Sequence, residues 1–164
     1  MEAERARTEE MAVRPVGRVH SSFVEAHTGV EKRDFSAQEA VIEVLPAYAR
    51  GLLGIERMLG APLVVVYRFD RTAGEPCRLT VRPRNDPART PRGVFATNCN
   101  RRPNSVALCC VTLVAVEGPT AIRVRGLDAL DGSPVLDIKP YSCCAYHDPS
   151  LSLSSSSSSS SCPP

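Results

Sequence analysis

The stretch "SVALCCVTLVAVEG", residues 105–118, is the longest strand candidate in the sequence and ends on a Glu-Gly turn. It is followed at once by "AIRVRGL", residues 121–127, where Ile122 and Val124 alternate with two arginines. Such alternation is typical of a strand with one buried face, so Ile122 and Val124 are predicted to point inward. Two strands joined by a short turn predict a β-hairpin. This hairpin is the centre of the predicted fold.

Strand-like segments continue in both directions from the hairpin. Between residues 46 and 58, Pro46 can start a helix but Gly51 and Gly54 cut it short, so only a helical turn or two is predicted. About seven short strands with frequent turns predict an all-β fold, either a barrel or a sandwich, with no doubly wound sheet. The other candidates are "VGRVHSSF" (16–23), "VIEVLP" (41–46), "PLVVVYRFD" (62–70), "RLTV" (78–81) and "LDALDGSPVLDIKPY" (127–141).

The 164 residues suit one domain. We place it at 13–148, between a charged N-terminal arm at 1–12 and a serine-rich tail at 149–164 that is too polar to fold. The chain shows no signal peptide and no apolar run near 18 residues, so no membrane partner is expected. Seven cysteines, an odd number without a C-x-x-C pair, indicate reduced thiols in a cytoplasmic, intracellular protein and no metal site.

A basic segment precedes the hairpin. Residues 78–102 contain seven arginines and one acid, Asp86, although the net charge of the whole chain is only +2. Such a run is most often a solvated loop. Arginine shifts the balance toward phosphate binding, because its guanidinium group pairs with two oxygens at once.

Two polar loops flank the hairpin, at 97–104 and 127–141. The second loop carries Asp128, Asp131 and Asp137 beside Lys139. Carboxylates can accept hydrogen bonds from ribose hydroxyls or hold a ligand's ammonium group. A tight turn at Asp131-Gly132 and a surface pair of Asp137 with Lys139 also explain them, and the residues alone slightly favour this plainer explanation. Neither a Rossmann nor a P-loop glycine pattern nor a G-x-S-x-G elbow occurs, so a nucleotide site of those types and a serine hydrolase are not supported.

Several motifs together resemble the TsaA-like, TrmO-type family of tRNA methyltransferases. They include "VGRVHSSF" (16–23), "VVVYRFDR" (64–71), "RGVFAT" (92–97), "RRPN" (101–104) and above all "DGSPVLDIKPY" (131–141), and the similarity extends over about 14–141. The resemblance implies a β-barrel that binds S-adenosylmethionine without a Rossmann fold and pairs as a homodimer. It implies transfer of a methyl group to N6 of threonylcarbamoyl-adenosine, next to the anticodon of a threonine tRNA.

A partly open barrel with an apolar run at 106–116 is further expected to leave an edge or a face for a second copy to cover.

The resemblance also implies which residues form the sites. The catalytic base is not identified. The cofactor residues would be Phe69, Asp70, Thr97, Asn98, Arg102, Pro103, Asn104, Leu108, Asp128, Ala129, Leu130, Asp131, Gly132 and Ser133, and the tRNA-binding residues would be Arg82, Arg84, Arg89, Arg92 and Arg101.

The sequence departs from the family pattern at the donor site. Asn98 stands where the family has arginine, Cys99 replaces a serine, and Asp70 follows Phe69 where the family has histidine. Asparagine lacks the charge and the planar fork of arginine. These changes support a second hypothesis, in which the same barrel is a non-catalytic module that binds tRNA or a protein.

Overall fold

The computed structural model describes residues 11–25 and 34–141. The predicted serine-rich tail, most of the N-terminal arm and residues 142–148 of the domain lie outside them. Within the described part, no helix is long and apolar enough to cross a bilayer. The strands there are β1 (Gly17–His20), β2 (Glu39–Val44), β3 (Pro62–Arg68), β4 (Thr80–Val81), β5 (Arg92–Gly93), β6 (Val106–Glu117), β7 (Ala121–Arg125) and β8 (Pro134–Pro140).

Short 3₁₀ helices take the place of regular α-helices in the described chain. Two of them, Pro46–Leu52 and Ile55–Met58, lie where the sequence predicts a helical turn or two. Leu53, with a ψ of 121°, ends the first segment, and Gly54, which precedes the second, has a φ of 85° that glycine adopts without strain. The others are Asp70–Thr72, Pro83–Asn85 and Val94–Ala96.

Six of the strands form one antiparallel sheet in the order β1-β2-β7-β6-β3-β8. The order is cyclic, because Gly17 of β1 also pairs with Val135 of β8, and the sheet is thus a closed barrel. The prediction of a mainly β fold without a doubly wound sheet is confirmed. The expectation of a partly open barrel was wrong, since hydrogen bonds between β1 and β8 leave no free edge in this sheet.

The β6–β7 hairpin supplies much of the core, as its alternation predicts. Ile122 and Val124 are both fully buried, and both pair with residues of β2 as well as of β6. Gly17 allows β1 to approach β2 closely, because a Cβ atom there would lie 2.5 Å from the carbonyl oxygen of Glu43. The largest other fully buried core side chains are Val19, Ile42, Leu63, Val65, Val94, Leu113, Leu127 and Val135.

The loops of interest gather at one rim of the barrel. Antiparallel pairing brings the ends of β1 and β3 to the same rim as the starts of β2, β6 and β8. The segments 69–72, 94–105 and 126–133 leave or enter the strands at this rim. The small β4–β5 sheet lies between the first two of these segments in the sequence.

Candidate functional site

The turn after β3 links the two polar loops that the sequence singles out. The Thr72 hydroxyl donates to the carbonyl oxygens of Phe69 (3.4 Å) and Asn100 (3.5 Å). On the other side, Nη2 of Arg71 donates to the carbonyl oxygen of Asp131 at 3.5 Å. The structure therefore brings together Phe69 and its neighbours, the 97–104 loop and the 128–133 loop at one rim.

Arg102 organises the 97–104 loop from within. Its Nη1 donates to the carbonyl oxygens of Val94 (3.1 Å) and Thr97 (2.6 Å). The loop then returns to β3, where the Phe69 amide donates to the Ser105 carbonyl oxygen at 2.9 Å. Ser105 has a φ of 48°, which non-glycine residues adopt at some cost. One arginine atom thus holds both ends of the turn that starts the loop, and the rest of the guanidinium group makes no other hydrogen bond with the described residues.

The 128–133 loop is tied to β1 and β3 mainly through its backbone. The Tyr67 hydroxyl donates to the Asp128 carbonyl oxygen, and the Asp131 amide donates to the Phe23 carbonyl oxygen. The Asp131 carboxylate accepts a hydrogen bond from the Ser21 amide at 3.1 Å, yet its side chain is 43% exposed. Asp131 therefore fixes its loop and still presents a carboxylate to a ligand. Gly132, with a φ of 82°, forms the predicted tight turn.

The predicted cofactor residues differ in accessibility. Ala129 and Ser133 are buried, so they contribute to the barrel rather than to an open surface. Leu108 points away from the core and is 66% exposed, and Phe95 is 80% exposed. The site thus offers apolar side chains as well as polar ones. The remaining exposed members are Asn98, Pro103, Asn104 and Asp128, while Phe69, Asp70, Thr97, Arg102, Leu130, Asp131 and Gly132 are half-buried.

Two titratable groups near the rim stay protonated at neutral pH. Burial raises the pKa of the Tyr67 hydroxyl far above its usual value, with a further contribution from the Asp128 carboxylate. Burial likewise raises the pKa of the Cys109 thiol, which contacts the Gly126 carbonyl oxygen at 3.2 Å. Both groups act as hydrogen-bond donors to backbone carbonyl oxygens. Among the described residues no cluster of three or more His, Cys, Asp or Glu could hold a metal ion.

The five arginines predicted to bind tRNA occupy two settings. Arg82 and Arg89 are held within the β4–β5 loop, and Arg101 pairs with Glu75 at 2.6 Å. Arg84 and Arg92 are exposed, and their side chains have no hydrogen-bond or ion-pair partner among the described residues. The sequence could not separate the two settings, because each depends on which carbonyl or carboxylate folds back onto the side chain.

Sequence reasoning missed several residues that hold the site together. Arg71 and Thr72 directly follow the predicted Phe69 and Asp70, and Tyr67 precedes them by two residues. The signal was available, because "VVVYRFDR" was one of the stretches that resemble the family. Ser21 lies in "VGRVHSSF", which also resembles the family, but its contact with Asp131 spans 110 positions in the chain and no local pattern predicts it.

Comparison with known proteins agrees with this architecture. A protein from Methanothermobacter thermautotrophicus described as a probable S-adenosyl-L-methionine-binding protein is 41% identical over 132 residues, 80% of this chain and 90% of its own length. The human tRNA (adenine(37)-N6)-methyltransferase is 34% identical over 121 residues, 73% of this chain but only 24% of that enzyme.

Solved structures show the same relation. A crystal structure of TrmO from Pseudomonas aeruginosa superimposes with a TM-score of 0.64 at 27% identity, covering 94% of this chain and 63% of that one. The chain thus spans less than two thirds of the solved TrmO protein. The family described as the tRNA-methyltransferase O N-terminal domain matches residues 18–148. The closed barrel, the rim motifs and these similarities show that the chain belongs to the TrmO N-terminal domain family, as its sequence motifs predict.

Proposed function

We propose that this protein is an S-adenosylmethionine-dependent tRNA methyltransferase that acts on N6 of the modified adenosine next to the anticodon. The support is family membership together with relatives whose names state S-adenosylmethionine binding or tRNA adenine N6-methylation. The finer part of the proposal is the acceptor, N6 of threonylcarbamoyl-adenosine in a threonine tRNA. We also propose an intracellular location, in keeping with unpaired thiols at Cys77, Cys99, Cys109 and Cys110.

The observation that carries the proposal is that side-chain hydrogen bonds join three loops at one rim of the barrel. Three segments far apart in sequence, 69–72, 97–104 and 128–133, are joined by the side chains of Arg71 and Thr72, and Arg102 holds the 97–104 loop from within. A methyltransferase accelerates its reaction chiefly by holding donor and acceptor in line, and this needs a preformed site. Partly buried hydrogen bonds from the Tyr67 hydroxyl and the Arg102 guanidinium group hold these loops in place.

The residues present fit S-adenosylmethionine. The exposed Leu108 offers an apolar surface for an adenine ring, while Asp131, half-exposed at the rim, can accept hydrogen bonds from ribose hydroxyls or pair with the amino group. When bound, S-adenosylmethionine supplies an electrophilic methyl group on a sulfonium. Arg102 and Tyr67 keep the loops in place, and the exposed Asn98 can offer a neutral hydrogen bond.

A second candidate function rests on Asn98. Its position in the loop is exposed, and the neutral amide replaces the charged fork that the family pattern has there. A barrel with a weakened donor site would still present its basic loop to tRNA. This candidate is a binding module without methyl transfer.

We further propose that the protein forms a homodimer through the outer face of β6. Val106 is 40% exposed and Leu108 is 66% exposed on that face, although the barrel has no open edge. Exposed apolar residues on a sheet are a common site of association. Light scattering at micromolar concentration should give twice the single-chain mass, and a single-chain mass would contradict the dimer.

The substitution Asn98→Arg tests the donor site. Calorimetric titration with S-adenosylmethionine should show binding to the wild-type protein. Affinity should rise by about 1–3 kcal/mol in Asn98→Arg, because one charge-assisted hydrogen bond is added. Asn98→Gln, a neutral side chain of intermediate length, is the matched control and should leave the affinity unchanged. The absence of heat for all three proteins would remove the methyltransferase proposal.

A further inference from the structure

The loop between β4 and β5 is a small, well-defined basic structure. Residues 82–91 are closed at their base by pairing of Thr80 with Gly93 and Val81 with Arg92, and the Val94 amide donates to the Leu79 carbonyl oxygen. From 78 to 93 the chain carries five arginines and a single acid, Asp86. A loop that is pinned at its base and strongly positive is suited to a polyanion.

Part of this charge maintains the loop itself. Nη1 of Arg82 donates to the carbonyl oxygens of Pro87 and Arg89 on the returning side of the loop. Asp86 accepts from the Ala88 amide at 2.9 Å and from Nε of Arg89 at 3.3 Å. Arg82 therefore holds the two sides of the loop together, and Asp86 orients the guanidinium group of Arg89. The Nη atoms of Arg89 form no hydrogen bond with the described residues.

The remaining charge faces a groove. Arg89, Thr90 and Arg92 line it together with Pro83 and Ala88, and no acidic side chain of the described residues contributes to the lining. Its volume of about 270 Å³ is at the lower limit of the roughly 300–1,000 Å³ typical of organic-ligand pockets. A shallow groove with two arginines and a hydroxyl fits a tetrahedral oxyanion, because guanidinium forks pair bidentately with such oxygens.

Arg84, next to the groove residue Pro83, adds a third exposed charge to Arg89 and Arg92. It lies within the Pro83–Asn85 helical turn with a φ of 60°, and Asn85 has a φ of 55°. A left-handed backbone conformation at two successive non-glycine residues costs free energy, and the hydrogen bonds within the loop offset this cost. The result is an exposed side chain between Arg82 and Asp86 that makes no ion pair with any described residue.

Resting on the proposed function, we infer that this loop binds the phosphate backbone of the tRNA. One phosphate enters the groove between Arg89 and Arg92, and Arg84 contacts a neighbouring phosphate. Arg82 is a positioning residue for the loop. Arg101, whose side chain is paired with Glu75, is assigned no phosphate contact.

Salt dependence of RNA binding tests this assignment. Binding of a fluorescent threonine-tRNA anticodon stem-loop is measured against salt concentration for the wild type and for Arg84→Ala, Arg92→Ala and Arg92→Lys. Each alanine variant should bind roughly tenfold more weakly and lower the salt slope by about one, the loss expected for one phosphate contact. Arg92→Lys should keep the slope and lose only part of the affinity.

The matched control is Arg57→Ala, which removes an exposed arginine from the Ile55–Met58 turn and should change neither quantity. Unchanged slopes in Arg84→Ala and Arg92→Ala, or no RNA binding by the wild type, would overturn the assignment. Equal losses for a polyglutamate peptide and for RNA would also overturn it, because the surface would then recognise acidic peptides. Methyl transfer is measured separately: arginine-dependent RNA binding without transfer would refute the proposed function alone, whereas transfer without arginine dependence would refute this inference alone.

Discussion

Replacement of Arg102 by alanine should destabilise the protein and loosen the 97–104 loop. The substitution removes two hydrogen bonds from a charged donor, at 3.1 and 2.6 Å, to the carbonyl oxygens of Val94 and Thr97. Bonds from charged groups contribute about 1.5–3 kcal/mol each, and partial exposure of the side chain reduces this, so the sum is about 2–3 kcal/mol. For a domain of this size that corresponds to a fall in Tm of about 10 °C.

Thermal unfolding of matched variants tests the argument. Arg101→Ala removes the neighbouring arginine, whose ion pair with Glu75 joins side chains 34% and 41% exposed. An exposed pair of this kind contributes about 0–1 kcal/mol, so the control should unfold within a few degrees of the wild type. Arg102→Lys, which can still donate to one carbonyl, should be intermediate. If Arg102→Ala unfolded at the same temperature as Arg101→Ala, the guanidinium group would not hold the loop, and Arg102 would be free for a ligand.

Three further predictions each concern a single residue, Gly17, Cys109 or Asp131. Gly17→Ala should cost about 1–3 kcal/mol in urea unfolding, because its Cβ would lie 2.5 Å from a β2 carbonyl oxygen; Gly51→Ala, with open space around it, is the control, and equal losses would contradict the close approach. Cys109 should react with iodoacetamide at pH 8 more slowly than the exposed Cys110, because burial raises the pKa of its thiol and only the thiolate reacts; peptide mapping that found the reverse order would show that the thiol is accessible. Asp131→Ala should weaken S-adenosylmethionine binding by about 1–3 kcal/mol if its carboxylate contacts the ligand, and an affinity equal to that of the wild type in calorimetry would place the ligand elsewhere.

Local patterns predicted the strands well. Alternation in 121–127 identified Ile122 and Val124 as inward-facing, and both are fully buried. The β-branched run at 62–70 became β3, and the Asp-Gly turn leads into β8. These features depend on neighbours in sequence, which periodicity and turn chemistry report directly.

Closure of the barrel could not be predicted in the same way. It requires β1 to pair with β8 across more than 110 residues, and β2 to pair with β7 rather than with β3. Nothing in the short β1 segment specifies those partners. The expectation of an open edge failed because pairing between distant strands is decided by the whole set of buried faces.

The candidate site shows the same division. Motif resemblance located the rim loops. It did not show that Nη1 of Arg102 donates hydrogen bonds to the loop backbone, or that Ala129 is a core residue. Side-chain roles of this kind depend on three-dimensional partners. The assignment of cofactor and tRNA residues therefore stays a prediction that the substitutions above test.

The most direct test of the proposed function is methyl transfer to tRNA. The purified protein is incubated with labelled S-adenosylmethionine and threonine tRNA that carries threonylcarbamoyl-adenosine, and the nucleosides are analysed by mass spectrometry. The same tRNA lacking the threonylcarbamoyl group is the control for the acceptor. The proposal predicts a methyl group on N6 of threonylcarbamoyl-adenosine and none in the control, with a higher rate for Asn98→Arg. Retained tRNA binding with no methylated nucleoside from either protein would contradict it and leave the binding module as the function.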